Sequence, residues 1–199
     1  MSHAGLLSSL GFCVALFGCA STTVEISGAT PTEPLCQSSG EKLSALVLWG
    51  PIWRADQKDV PLREEAAQHG LEDFFAHSGC FTKVAIRRLS GGGSSIVPSD
   101  HELLLLASTV SPTPDRLLVV TVRELGPVVR LLGSPALLEG GTDVVLELKV
   151  LDIRTGASLA NFRTHWQNGG PLVIKGVKTL PQDMSSALQA AVTSTAPPR

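Results

Sequence analysis

Leu43-Ser44-Ala45-Leu46-Val47-Leu48-Trp49 is a nearly continuous apolar run, closed by Gly50-Pro51. A strand with water on one face alternates apolar and polar side chains, whereas an unbroken run needs cover on both faces. That condition is met in a partly parallel sheet with crossover helices. Residues 116–123 hold a second such run, Leu117-Leu118-Val119-Val120-Thr121-Val122. The chain between the two runs supplies the crossovers. Over residues 60–77, Leu62, Ala66, Gly70 and Phe74 recur on one helical face while Arg63, Glu64, Glu65 and Glu72 point outward, and Gly79 suits the position past the helix end. Residues 80–89 read as a strand, with Cys80, Thr82, Val84 and Ile86 on one face and Lys83 and Arg87 on the other. Ser99-Asp100-His101-Glu102 has capping-box spacing and opens a short helix to about Ser108.

From Thr142 the period becomes two: Val144, Leu146, Leu148 and Val150 alternate with Glu147 and Lys149. Arg154-Thr155-Gly156-Ala157 supplies a turn, and Ala160, Phe162, Thr164 and Trp166 return on one face, so residues 142–167 form an antiparallel hairpin that Asn168-Gly169-Gly170-Pro171 ends. Thr179-Leu180-Pro181-Gln182 repeats the capping-box spacing before a helix with the stripe Leu180, Met184, Leu188 and Val192. The order βαβαβ, then ββ, then α predicts an α/β fold with a mixed sheet, three-layer-like, ending in a hairpin and a carboxy-terminal helix.

The amino-terminal segment has another character. Residues 1–18 contain no Asp, Glu, Lys or Arg, and residues 10–18 are an apolar block ended by small residues. The block is shorter than the roughly 20 residues a spanning helix needs, which makes it a secretory leader. Leu16-Phe17-Gly18-Cys19 resembles the lipobox of bacterial lipoproteins, in which a Leu three before and a small residue one before a Cys mark a thiol that receives a diacylglyceryl group before cleavage. The resemblance implies a lipid anchor on Cys19. With Ala20 in place of Asp, it also implies delivery to the outer membrane, facing the periplasm. The alternative is an ordinary secreted protein cut nearby, with Cys19 incidental.

The expected organisation is therefore a removed leader over residues 1–18, a lipidated tether over 19–35, a single periplasmic α/β domain over 36–195 and a tail over 196–199. The tether reading rests on the Ser, Thr and Pro content of residues 20–35, a flexible stretch reaching about 20 to 25 Å. Past residue 18 there remain 181 residues, enough for one domain with a real core. Of the four cysteines, Cys13 leaves with the leader and Cys19 is acylated, which leaves Cys36 and Cys80 as a pair expected to bridge in an oxidising compartment. Two unpaired buried thiols are the alternative.

The formal net charge is −2, with no long basic stretch, which disfavours nucleic acid as a partner. Ser90-Gly91-Gly92-Gly93-Ser94-Ser95 lacks the Gly-Lys-Ser/Thr ending of a phosphate loop and the third Gly of a dinucleotide fingerprint, and reads as a linker. His69, His77, His101 and His165 have no Glu or Cys at ligand spacing, and no Gly-x-Ser-x-Gly elbow is present. Glu64 and Glu65 read as a solvated helix face. No catalytic residue, metal or cofactor is expected beyond the covalent lipid. The candidate partner contacts are Trp53 and Arg54, which follow the first strand where open α/β sheets place ligands, and then Trp166.

Three stretches carry a further resemblance: Phe74-Phe75-Ala76-His77-Ser78-Gly79-Cys80-Phe81 leading to Arg87-Arg88, Asp115-Arg116-Leu117-Leu118-Val119-Val120 before Glu124, and Leu148-Lys149-Val150-Leu151-Asp152-Ile153-Arg154-Thr155-Gly156. They resemble the periplasmic domain shared by the curli-secretion channel lipoprotein, the Pel-polysaccharide export lipoprotein and the lipoprotein activators of penicillin-binding proteins. The resemblance implies a non-enzymatic scaffold of export or envelope assembly, and a homo-oligomer is among the expectations because some members form rings. The chain has no long amphipathic insertion to line a pore, which favours an accessory role over a channel. Two other readings are an activator of a peptidoglycan synthase, which a sixteen-residue tether argues against, and an envelope hydrolase. Activity surviving loss of Cys19 but lost with a single His or acid would mark the last.

Overall fold

The computed structural model describes residues 20–32, 35–36, 43–89, 98–131 and 138–193. The leader, Cys19, the 90–95 linker and the 196–199 tail lie outside the described residues. In chain order the elements are β1 (Ser21–Ala29), β2 (Ala45–Pro51), α1 (Val60–His77), β3 (Val84–Arg88), α2 (Asp100–Ser108), β4 (Arg116–Leu131), β5 (Leu138–Asp152), β6 (Ser158–Pro171) and α3 (Leu180–Thr193), with a 3₁₀ turn at Val177–Thr179 before the last helix.

The strands make one six-stranded sheet in the order β1-β6-β5-β4-β2-β3. β2 pairs in parallel with β3 and β4, and the remaining neighbours are antiparallel. The apolar run at β2 has the cover it requires. Ala45, Val47 and Trp49 enter a large core under α1 and α3, and Leu46 and Leu48 enter a smaller one with Leu103 and Ala107 of α2. β4 divides in the same way, Leu118, Val120 and Val122 going to the first core and Leu117 and Val119 to the second. The mixed α/β architecture, with helices on both faces, follows the order read from the sequence.

Several local readings hold as well. α1 spans the expected residues, and Gly79 follows it with φ 63°. Ser99 caps α2, its hydroxyl accepting from the Glu102 amide while the Glu102 carboxylate accepts from the Ser99 amide at 2.7 Å. Leu180, Met184, Leu188 and Val192 are all buried. Strand limits move: β2 covers Ala45–Pro51, β3 is shorter than residues 80–89, β4 runs eight residues past Arg123, β5 begins at Leu138 and not at Thr142, and β6 continues through Asn168-Gly169-Gly170 to Pro171.

Two readings are corrected. The face of α1 turned to the core is Arg63, Ala66, Ala67, Gly70, Leu71, Phe74 and Phe75; Leu62 is exposed, and Arg63, read as outward, is buried. Steps of four residues advance 400°, so a strict every-fourth series drifts about 40° per step away from a 3.6-residue helix's own stripe. The tether over residues 19–35 is the second correction. Ser21–Ala29 is a strand on the sheet edge, antiparallel to β6 with Ser21 opposite Gly169 and Ala29 opposite Asn161. Thr22, Val24 and Ile26 alternate with Thr23, Glu25 and Ser27, and β-branched side chains suit a pleated surface; Ile26 packs on the main core.

Cys36 and Cys80 form a disulfide with Cα atoms 4.4 Å apart, fastening the crossing from β1 to β2 onto the end of α1. In amide hydrogen exchange the amides of Ser21–Ala29 that face β6 are expected to be protected in alternation, whereas a free tether would exchange at unprotected rates throughout. The double variant Cys36→Ala/Cys80→Ala is expected to lose about 4 kcal/mol in urea unfolding, the chain-entropy value for a loop of this length. Reductant should lower the parent's midpoint toward the variant's and leave the variant's unmoved.

Candidate functional site

β3, β2 and β4 lie side by side although β2 precedes both in sequence, so the chain reverses direction across the sheet between β2 and β4. In open α/β sheets the crevice beyond the strand ends at such a point usually takes the ligand. Here the crevice is filled. β2 stops at Pro51, opposite Val122, and Ile52 donates its amide to the Val122 carbonyl at 2.9 Å. A register shift between Val122 and Glu124 then re-aims β4, which continues with β5 alone.

Arg63 closes the strand edge that β2 leaves open. Its Nη1 donates to the Leu125 carbonyl, its Nε donates to the Lys58 carbonyl at 2.7 Å, and Nη1 lies 3.4 Å from Glu124 Oε1. The guanidinium occupies the space a side chain at 126 would fill, and Gly126 is there. Pro127 shares the orientation of Leu125 two residues before it, so its missing N–H faces this edge and not β5. Glu124 also meets Arg54 Nη2 at 3.2 Å and Gln57 Nε2 at 3.2 Å. Glu64 bridges Arg88 Nη2 at 2.7 Å and the Trp53 indole N–H at 3.4 Å, and the Arg88 guanidinium sits 5.5 Å from the centre of the Trp49 ring. Every acidic oxygen of Glu64 and Glu124 thus already has a partner, which suits a structural clasp.

Glu64 is therefore no solvated-face residue, and Trp53 is partly buried with its N–H engaged. Arg54 keeps 64 % side-chain exposure. Trp166, the other expected contact, is corrected: it is 4 % exposed and packs in the main core, because it shares the inward face of β6 with Ala160, Phe162 and Thr164. His69 and His77 stand on α1, His101 on α2 and His165 on β6, and among the described residues no group of three or more His, Cys, Asp or Glu is placed to hold a metal.

Two of the three stretches that carry the sequence resemblance meet in space. Arg116 Nη1 pairs with Asp152 Oδ2, while Asp152 Oδ1 accepts from the Thr155 amide and hydroxyl, both at 2.9 Å. Asp115 in turn accepts from the Ser44 amide at 2.8 Å and hydroxyl at 2.7 Å, pinning the starts of β2 and β4 together. The Thr155 amide holds the Asp152 carboxyl below the usual carboxylate range, helped by its hydroxyl and Arg116 and opposed by burial. The Ser44 amide and then its hydroxyl do the same to Asp115. Lowered values of this kind stabilise the fold above about pH 4, an effect lost as the pH falls through them. These residues hold the fold together.

The segment from β6 to α3 is anchored unusually. Asp183, buried on α3, accepts from the Thr142 hydroxyl at 2.7 Å, the Thr179 hydroxyl at 3.0 Å and Lys175 Nζ at 2.8 Å. Lys175 also lies 5.8 Å from the centre of the Trp166 ring. The Val173 carbonyl takes the space a side chain at Gly140 would fill. With Val173 and Lys175 turned in, Leu172 and Ile174 turn out. Beside this segment lies a depression of about 90 Å³ between Ser21, Thr23, Gly141, Gln167 and Gly169, smaller than the roughly 300 Å³ at which ligand pockets begin.

No family model matches this chain, and no curated protein sequence does either. Among solved structures the chain is similar to the PelC dodecamer of Paraburkholderia phytofirmans, at 13 % identity and a TM-score of 0.42, covering 88 % of this chain and 100 % of the other. It is also similar to lipoprotein GNA1162 from Neisseria meningitidis, at 12 % identity and a TM-score of 0.42, over 76 % and 99 % of the two chains. A third is protein XCC0632 from Xanthomonas campestris, of the DUF330 family, at 14 % identity and a TM-score of 0.39, over 83 % and 89 %. At these identities and scores the likeness says nothing of function.

Removing the fork at residue 63 tests the clasp. Arg63→Met is expected to cost about 2 to 3 kcal/mol in urea unfolding, since it orphans the Leu125 carbonyl and one side of Glu124. Arg63→Lys should recover only part of this, because an ammonium cannot reach both acceptors in one plane.

Proposed function

We propose that the chain is an outer-membrane lipoprotein, held by a lipid on Cys19 with its α/β domain in the periplasm, and that it serves export or envelope assembly as a non-catalytic accessory. The observation that carries this reading is Leu16-Phe17-Gly18-Cys19 at the end of an uncharged apolar leader. The Cys36–Cys80 bridge fits the oxidising compartment to which such a leader directs a chain. Arg54, which keeps 64 % side-chain exposure, offers a protein contact, and assembly into a homo-oligomer belongs to the same proposal. An activator that must reach the cell wall is disfavoured, because residues 21–29 lie in the sheet and extend no tether.

The mass of the amino-terminal peptide from cells tests the address. A lipid-modified Cys19 with residues 1–18 absent is the expected result; an intact leader or a free Cys19 thiol would sink it. Cross-linking in intact cells tests the role: adducts with envelope proteins or with a second copy are expected, and an acylated chain yielding neither would overturn the accessory reading.

A further inference from the structure

Three large apolar side chains project into solvent at one end of the sheet: Ile174, 80 % exposed, and Leu172 and Val129, each 61 %. Single exposed aliphatics are ordinary, but this set is local. Leu172 and Ile174 flank Val173, whose carbonyl lies over Gly140, and Gly140 pairs with Val129 on one side and Gly170 on the other. The arrangement is also inverted. The cation of the stretch, Lys175, is drawn inside to Asp183 and the face of Trp166, while its aliphatic neighbour Ile174 is left in water. The ion pair and the hydroxyls of Thr142 and Thr179 hold the segment in that setting.

The same end is where the chain enters the fold. β1 begins at Ser21, which pairs with Gly169; Gly169 pairs with Gly141, and Gly141 with Val128. Ser21 therefore lies in the row next to Val129, Gly140 and Gly170. Cys19 is two residues before Ser21, and two residues reach at most about 7 Å. A lipid on Cys19 would bring the bilayer surface against this end, and Leu172, Ile174 and Val129 would be the side chains to meet it.

We infer that this end is a membrane-seated surface, its aliphatic side chains entering the interfacial layer of the bilayer that holds the lipid on Cys19. The inference rests on the proposed acylation and adds an orientation to it: the domain sits upright on the membrane, strands directed away from it, with no freedom to swing. By position, Lys178 and Arg130 are the cations of this end and Glu139, opposite Arg130, its acid, so the seat carries about one net positive charge. Its contact depends on apolar insertion more than on anionic headgroups.

The full chain, isolated from membranes with its anchor, is placed in vesicles of phosphatidylethanolamine and phosphatidylglycerol. An environment-sensitive fluorophore is attached through Ile174→Cys or, as a control, Ala157→Cys in the turn at the other end of β6. Fourteen strand residues separate the two sites by about 45 Å. The vesicles are first floated, then read with bromine on the lipid acyl chains as quencher and with iodide in the water. Flotation with emission at 174 quenched severalfold by bromine and untouched by iodide, and the reverse at 157, is the expected result. Flotation with the label at 174 open to iodide overturns the seat and leaves the anchor standing. Failure to float overturns the acylation and the seat with it.

Discussion

The fold depends on covering both faces of two adjacent strands. β2 and β4 send successive side chains to opposite sides, and neither can be satisfied by one layer of helix. α1 and α3 close the larger side, and Gly70 of α1 lets the backbone of one approach Pro181 and Met184 of the other. α2 closes the smaller side over Leu46, Leu48, Leu117, Val119 and Leu151. Removing that apolar area from water drives the assembly, and the antiparallel strands extend it outward to the edge that β1 completes.

The polar groups follow from the same constraint. Where β2 ends and β4 goes on, one strand edge has no backbone partner, and an open edge invites pairing with another chain. Arg63, Glu124 and Pro127 resolve it with one guanidinium, one carboxylate and one residue that has no donor to satisfy. The cleft in which related topologies hold ligands is thereby filled by the protein's own side chains.

Much of the architecture was legible because burial leaves a period in the sequence. Residues 43–49 and 117–122 announced strands covered twice, and residues 60–77 and 180–192 announced helices covered once. Arg63 escaped since a four-residue count nearly tracks a helix over two turns, then leaves its stripe. β1 escaped because Thr, Ser and Gly suggest a linker, and the β-branched alternation of Thr22, Val24 and Ile26 lies inside that composition. The continuation of β4 was hidden by Gly126-Pro127, which usually ends a strand and here marks an edge. The turning of Lys175 inward and Ile174 outward depends on Asp183 eight residues along, a tertiary contact with no periodic trace.

The edge position of β1 has a mechanical meaning. Its hydrogen bonds to β6 run across the strand, so a pull on its amino-terminal end, directed along the strand, loads them together in shear rather than opening them one at a time. Were β1 stripped away under load, the next point of resistance would be the Cys36–Cys80 bond, covalent and placed ahead of β2. Traction on the start of the chain would then pass through the bridge to Cys80, between α1 and β3, and the looped stretch that holds β2 and α1 would be bypassed.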